Sequence, residues 1–210
     1  MYLMSFTGFQ SSDFSALTVP GLDPRMAAII TSVRPKLTQI GEQMAPFLSV
    51  ALGQPVYPHV ARHARRSVNP PDDTWVAFSV NNRGYKALPH FQVGLWASHV
   101  YIQFAIIYES NNKSIFANNL ASHLPQIREQ IPGNFRWSLD HSKPYGDFHH
   151  SLNQASFCKY IEKLKTVKKS EITCGIDIDS SIIAKMSGPQ FIKKTEDTFK
   201  HLLPLYKLAF

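Results

Sequence analysis

Three stretches in the middle of the chain, 75–80, 91–96 and 99–108, follow closely on one another, and the first and last alternate with period two. That period places successive side chains on opposite faces of a pleated strand. In the first stretch Val76, Phe78 and Val80 share one face, and Trp75, Ala77 and Ser79 the other. In the third, Val100, Ile102, Phe104 and Ile106 oppose His99, Tyr101, Gln103 and Ala105. Only Ala97 and Ser98 separate the second and third stretches, which is the length of a tight hairpin, so these two are antiparallel neighbours. Consecutive strands without helical crossovers restrict the chain to an antiparallel sheet.

Helical patterns surround this run. Met26, Ile29, Ile30, Val33, Leu37, Ile40, Met44 and Phe47 recur at helical spacing, with Asp23 as cap and Pro24 in the tolerated first position. Pro35 inside that pattern predicts a kink or break near Arg34. A second helix is expected over 111–130, with Ile115, Phe116, Leu120, Leu124 and Ile127 as its stripe and Pro125 bending or ending it. A short strand over 135–140, a Lys-rich helix over 151–167, a strand over 172–179 and a helix capped by Ser187 complete the order. A weak edge strand is expected over 56–61, where Pro55 and Pro58 deny ladder donors. Strands in series with helices around them define an α+β fold. No repeat or linker divides the chain, so residues 1–210 read as a single domain.

Twenty-two Lys and Arg against fifteen Asp and Glu give a formal charge of +7, which favours anionic partners. Residues 57–80, YPHVARHARRSVNPPDDTWVAFSV, concentrate that charge. His59, Arg62, His63, Arg65 and Arg66 fall within eight residues and repel one another unless water, carboxylates or a bound anion compensates them. Asp72 and Asp73 are the adjacent carboxylates. Cys158 and Cys174 lack metal-ligand spacing and read as buried, reduced thiols. The N-terminal MYLMSFTGFQ has no cationic or apolar leader region, and the apolar stretch from 100 to 108 is too short to span a bilayer. A cytoplasmic protein with no membrane partner is expected.

The segments FTGFQSSDF, PGLDPRM leading into VRPKL, YPHVARHARRSVNPPDDTWVAF and HFQVGLW together resemble the YktB-like family of bacterial proteins. The resemblance covers much of the first half, and GDFHH and KKSEITCGIDID downstream are compatible with it. It implies a TATA-box-binding-protein-like fold, in which a curved, mostly antiparallel sheet packs on long helices. It carries no catalytic residues and no DNA binding, because relatives of one architecture do unrelated work.

The leading functional reading is a binding domain for a small anionic ligand on a basic sheet edge. Arg62, Arg65 and Arg66 are its anchors, because guanidinium groups grip phosphate or carboxylate in pairs. His59, His63 and Trp75 lie nearby, with His99 and Tyr101 on the polar side of the sheet. The competing reading of the cluster is a solvated edge that guards the sheet. A second function is non-specific nucleic-acid binding through this block and through Lys159, Lys163, Lys165, Lys168, Lys169, Lys193, Lys194, Lys200 and Lys207, although no RNA-reading aromatic run occurs. A third is a hydrolase or transferase using His and Asp on a polar sheet face, where Thr173, Gly175, Asp177 and Asp179 would join His99, Tyr101 and Gln103. These side chains either line a cavity between sheet and helix or face solvent. Asp140, His141, Asp147, His149 and His150 are ligand types without a ligand spacing, so no metal is expected. No phosphate loop, dinucleotide fingerprint or nucleophile elbow is present, so no cofactor is expected either.

Overall fold

The computed structural model describes residues 5–210; residues 1–4, where the reading of the leader region begins, lie outside it. Seven antiparallel strands form an open sheet in the order β1-β2-β3-β4-β7-β5-β6. They are β1 (Tyr57–Val60), β2 (Asp73–Ser79), β3 (His90–Trp96), β4 (His99–Ile106), β5 (Arg136–Ser138), β6 (Asp147–Phe148) and β7 (Ile172–Asp179). Within the meander β1 to β4, β2 and β4 follow the alternation of the sequence, β3 and β4 pair as the expected antiparallel neighbours, and the Pro-flanked β1 is indeed at an edge. Val76, Phe78, Phe104 and Ile106 are almost fully buried. The insertion of β7 between β4 and β5 joins strands 66 positions apart at Ile106↔Ile172, a non-local pairing that periodicity cannot supply.

One face of this sheet is covered by helices. They are α1 (Ser11–Ser15), α2 (Leu22–Ala28), α3 (Arg34–Leu52), α4 (Lys113–Gln130), α5 (Gln154–Thr166), α6 (Ser180–Ile183) and α7 (Gly188–Lys207). Phe78, Phe91 and Phe104 of the sheet meet Phe199 and Tyr206 of α7 with ring centroids 4.9–6.3 Å apart. Ile29, Val33, Leu37, Ile40 and Met44 are all excluded from solvent. Ile30 and Ile115 are 46% exposed, so each stripe is narrower than its spacing predicted.

Pro35 does not break the first helix. Helical backbone runs on from α2 through a π-helical turn at Ile29–Val33 into α3, and the wider turn just before the proline, where the Arg34 N–H reaches back to the Ile29 carbonyl, is where the regular ladder is interrupted. The start of α2 also differs from expectation: Gly21 is the cap and Asp23 lies inside the helix. Pro125 sits within α4 without ending it. α5 begins at Gln154, where Asn153 accepts from the Ser156 N–H, and Ser187 forms the expected cap of α7 in a reciprocal box with Gln190. Cys174 is buried on β7, but Cys158 is exposed, because its position on α5 faces away from the Phe157, Ile161 and Leu164 stripe.

Candidate functional site

The other face of the sheet is polar, and it is covered too. The β4–β7 register sets His99 beside Asp179, Tyr101 beside Asp177 and Gln103 beside Gly175, all on the side away from the helices. Gln92, His99, Tyr101 and Thr173 are each 4–6% exposed. The expected cavity between sheet and helix is instead roofed by loop residues, chiefly 139–146 after β5 and 83–87 between β2 and β3. Two hollows lie beneath this cover. The outer one is lined by His99, Arg136, Lys143, Tyr145, Thr173 and Asp177. The inner one is lined by Asp73, Trp75, Tyr85, Gln92, Ile107 and Glu109, and Tyr101 and His141 line both.

Burial forces these polar groups into hydrogen bonds with one another. The Leu88 carbonyl accepts from His90 Nδ1 at 2.8 Å, which leaves Nε2 to accept from Gln92 Nε2 at 3.0 Å. Gln103 Nε2 in turn donates to Gln92 Oε1 at 2.8 Å. Tyr101 donates to Asp73 Oδ2 at 3.1 Å, and Trp75 Nε1 donates to the Tyr85 hydroxyl at 3.0 Å. Glu171 clamps His141, accepting its backbone N–H at 2.8 Å and its Nδ1 proton at 2.7 Å. Arg136 Nε meets Asp177 Oδ2 at 3.0 Å while its guanidinium lies 3.8 Å over the Phe148 ring.

The electrostatics follow from that burial. Desolvation raises Asp73 to about 6, against the Tyr101 hydrogen bond that lowers it. Desolvation also raises Asp177 to about 6, outweighing Arg136. Desolvation lowers His90 and His99 to about 4, and burial pushes the Tyr101 hydroxyl well up. His141 alone among these histidines moves up, because the Glu171 carboxylate stabilises its imidazolium more than burial opposes it.

A separate groove runs along the β1 edge. Arg34, His59, Arg62, Arg83, Tyr85 and Lys86 line it, and its lining contains no carboxylate. Arg62 and Arg83 have no ion pair among the described residues; Lys86 pairs with Glu109 at 3.3 Å. Arg34 Nη2 donates to the Arg62 carbonyl at 3.3 Å, and its Nε is buried without a partner. His59 is hydrogen-bonded to the Asn81 carbonyl at 2.9 Å.

The predicted residues therefore divide. Arg62 and His59 enter the groove, whereas Arg65 and Arg66 stand exposed in the following turn, which the Arg66 N–H closes onto the His63 carbonyl. His63 has a positive φ of 52°, is bonded to Thr74 at 3.1 Å and packs edge-on against Trp75. Desolvation first, then Arg66 and Arg34, lower it to about 4. Trp75, His99 and Tyr101 line the hollows. The Asp and His residues of 140–150 scatter: Trp137 donates to His149, the Gly133 carbonyl binds His150, and Tyr160 donates to Asp147. Sequence reasoning missed Arg34, Arg83 and Glu171. Only Glu171 left a signal, since carrying the β7 alternation one step back from Thr173 puts it on the polar face.

Fold and site together define an α+β protein whose sheet carries an apolar helix-packed face and a buried polar one. Residues 9–206 match the pattern of a family described as "Domain of unknown function (DUF1054)". The chain is also 48% identical over 206 residues to "UPF0637 protein" sequences of Bacillus thuringiensis (strain Al Hakam) and Bacillus anthracis (strain CDC 684 / NRRL 3495), covering 98% of this chain and 99% of each relative. The chain belongs to this bacterial family, which the YktB resemblance anticipated. No helix of the described residues is long and apolar enough to cross a membrane.

Proposed function

We propose that the protein is a cytoplasmic binding domain for a small anionic ligand, held in the groove along β1. The observation that carries this reading is the convergence of Arg34, Arg62, Arg83 and Lys86 on one concavity lined by no acidic residue. Lys86 is compensated by Glu109, but Arg34, Arg62 and Arg83 have no carboxylate partner among the described residues and raise the local positive potential, and guanidinium forks match phosphate or carboxylate oxygens. Tyr57 and Tyr85 add ring surfaces on which a planar ligand body can rest. Of the three arginines the sequence singles out, Arg62 is the anchor, joined by Arg34 and Arg83 in place of Arg65 and Arg66.

Thermal unfolding in rising inorganic phosphate and pyrophosphate tests this reading. The parent should be stabilised in proportion to RT ln(1 + [L]/Kd), and Arg62→Ala/Arg83→Ala should lose the effect while Arg65→Ala/Arg66→Ala keeps it. Equal stabilisation of both double variants would remove the groove as the site. Nucleic-acid binding is the competing outcome. Oligonucleotide affinity would then fall with a log–log salt slope of about −3 to −4 for four phosphate contacts, and Arg65→Ala/Arg66→Ala would flatten it.

A further inference from the structure

The inner hollow holds chemistry that an anion groove does not need. It gathers Asp73 from β2, Tyr101 from β4 and His141 from the loop after β5, between Trp75, Tyr85 and Ile107. Each proton carrier is held from behind. Glu171 accepts the hydrogen bond of His141 Nδ1–H, which fixes the tautomer and leaves Nε2 as the exchanging nitrogen. Tyr101 occupies Asp73 Oδ2, while Oδ1 makes no hydrogen bond among the described residues. Glu109 lines the same hollow, and its Oε2 is buried without a hydrogen-bond partner among the described residues, an unmet acceptor. No Ser, Thr or Cys side chain is bonded to His141 among the described residues, so the pair is not built to activate a protein nucleophile.

We propose that this hollow is a general acid–base site for a small carbonyl compound, with Asp73 as the base and His141 as the acid. Asp73 Oδ1 removes a proton from the carbon next to the carbonyl. The electron pair of that C–H bond becomes the C=C bond of an enol, and the carbonyl oxygen takes the proton of His141 Nε2. Reversal of both transfers restores the carbonyl, so the reaction balances with no co-reactant. The protonation states fit these roles. Burial makes Asp73, at about 6, a stronger base than an ordinary carboxylate and still ionised at neutral pH, and Glu171 keeps His141 charged over a wider range. Asp73 is faced by Tyr101 from β4, His141 from the roof, Arg66 from the β1–β2 loop and its neighbour Asp72. His141 is faced by Glu171, Asp73 and Asp140.

This inference does not rest on the anion groove. The full chain is incubated in D2O with pyruvate, 2-oxobutyrate or dihydroxyacetone, and loss of the α-hydrogen signal is followed by proton NMR. At least one probe should exchange about 100-fold or more faster than in buffer, and Asp73→Asn and His141→Gln should each remove that gain. Glu171→Gln should move the alkaline limb of the pH profile to lower pH, which a merely structural Glu171 would leave in place. Buffer-rate exchange of all three probes overturns the proposal. So does undiminished exchange in whichever of Asp73→Asn and His141→Gln remains folded by thermal unfolding.

Discussion

The two faces of the sheet are built from the same strands, one residue out of phase, yet they solve opposite problems. On the helix side Val76, Phe104 and Ile176 need only shape, and α3 and α7 supply it with aromatic and aliphatic partners. On the other side His90, Gln92, Tyr101 and Asp73 must each find a hydrogen-bond partner, because burial without one costs more than the bond itself returns. Shape complementarity of the first kind tolerates substitution by collapse and repacking. A satisfied polar network does not, since each member fixes the position of the next. The second face therefore stores less stability per residue and more specificity of geometry, and that is where a site belongs.

The comparison breaks first if the apolar face proves soft. Phe104 is 1% exposed and touches Phe91, Phe116 and Tyr206, with ring centroids 5.7–6.3 Å away. Phe104→Ala should cost about 3–5 kcal/mol in denaturant unfolding, and Ile40→Ala on α3 about 2–5 kcal/mol. An unchanged midpoint for Phe104→Ala would mean that the helix side is not the main core.

The polar face breaks next, and at a glycine. Gly94 of β3 stands opposite Tyr101, and a methyl group there would come within 2.2 Å of the tyrosine Cζ and 2.3 Å of its hydroxyl oxygen. Gly94→Ala should therefore swing Tyr101 away from Asp73 and cost about 1–3 kcal/mol, the usual range for overpacking. Thermal unfolding reads the cost, and a crystal structure of the variant reads the displacement. Tyr101→Phe isolates the hydrogen bond at full ring volume and should cost less, about 1 kcal/mol. If the two variants are equally stable, Tyr101 is held by its bond to Asp73 and not by the glycine seat.

The apolar face was far more legible in the sequence than the polar one. Alternation placed β2 and β4 and their buried residues, because period two is a local property of the chain, and β3 followed from its two-residue connection to β4. It could not tell a solvated face from a roofed one, since His99, Tyr101 and Gln103 read alike in either case. What buries them is a loop at 139–146 whose Pro144 and Gly146 marked it only as irregular. The basic block misled in the same way. Five cations adjacent in sequence suggested one site, but β1 ends at Val60 and the chain turns at His63, so Arg62 separates from Arg65 and Arg66. Arg34 and Arg83, distant in sequence, take the vacated places beside it.

The smallest expected effect is the most specific to the polar face, and it is a pH slope. His63, His90 and His99 are lowered to about 4 by burial, so between about 4 and 6.5 the unfolded chain holds protons on them that the folded chain lacks. Stability from these three is complete above the unfolded value and is lost as pH falls. Asp73 and Asp177 are raised to about 6, so between about 4 and 6 the folded chain holds protons on them that the unfolded chain lacks, and their contribution weakens as pH rises. His141, whose value is raised by Glu171, likewise favours the folded state on the acid side. His149, also lowered chiefly by burial, acts with the three histidines, and the two raised carboxylates offset them in part within this window, which predicts a net loss of stability on acidification in the parent. Single substitutions should unmask the opposing parts. Asp73→Asn removes a group that favours the acid side and should steepen the loss from pH 6 to 4, whereas His99→Gln should flatten it. Denaturant unfolding at several pH values measures both slopes. Parallel curves for parent, Asp73→Asn and His99→Gln would mean that water reaches these groups freely and that the second face is not a dry site.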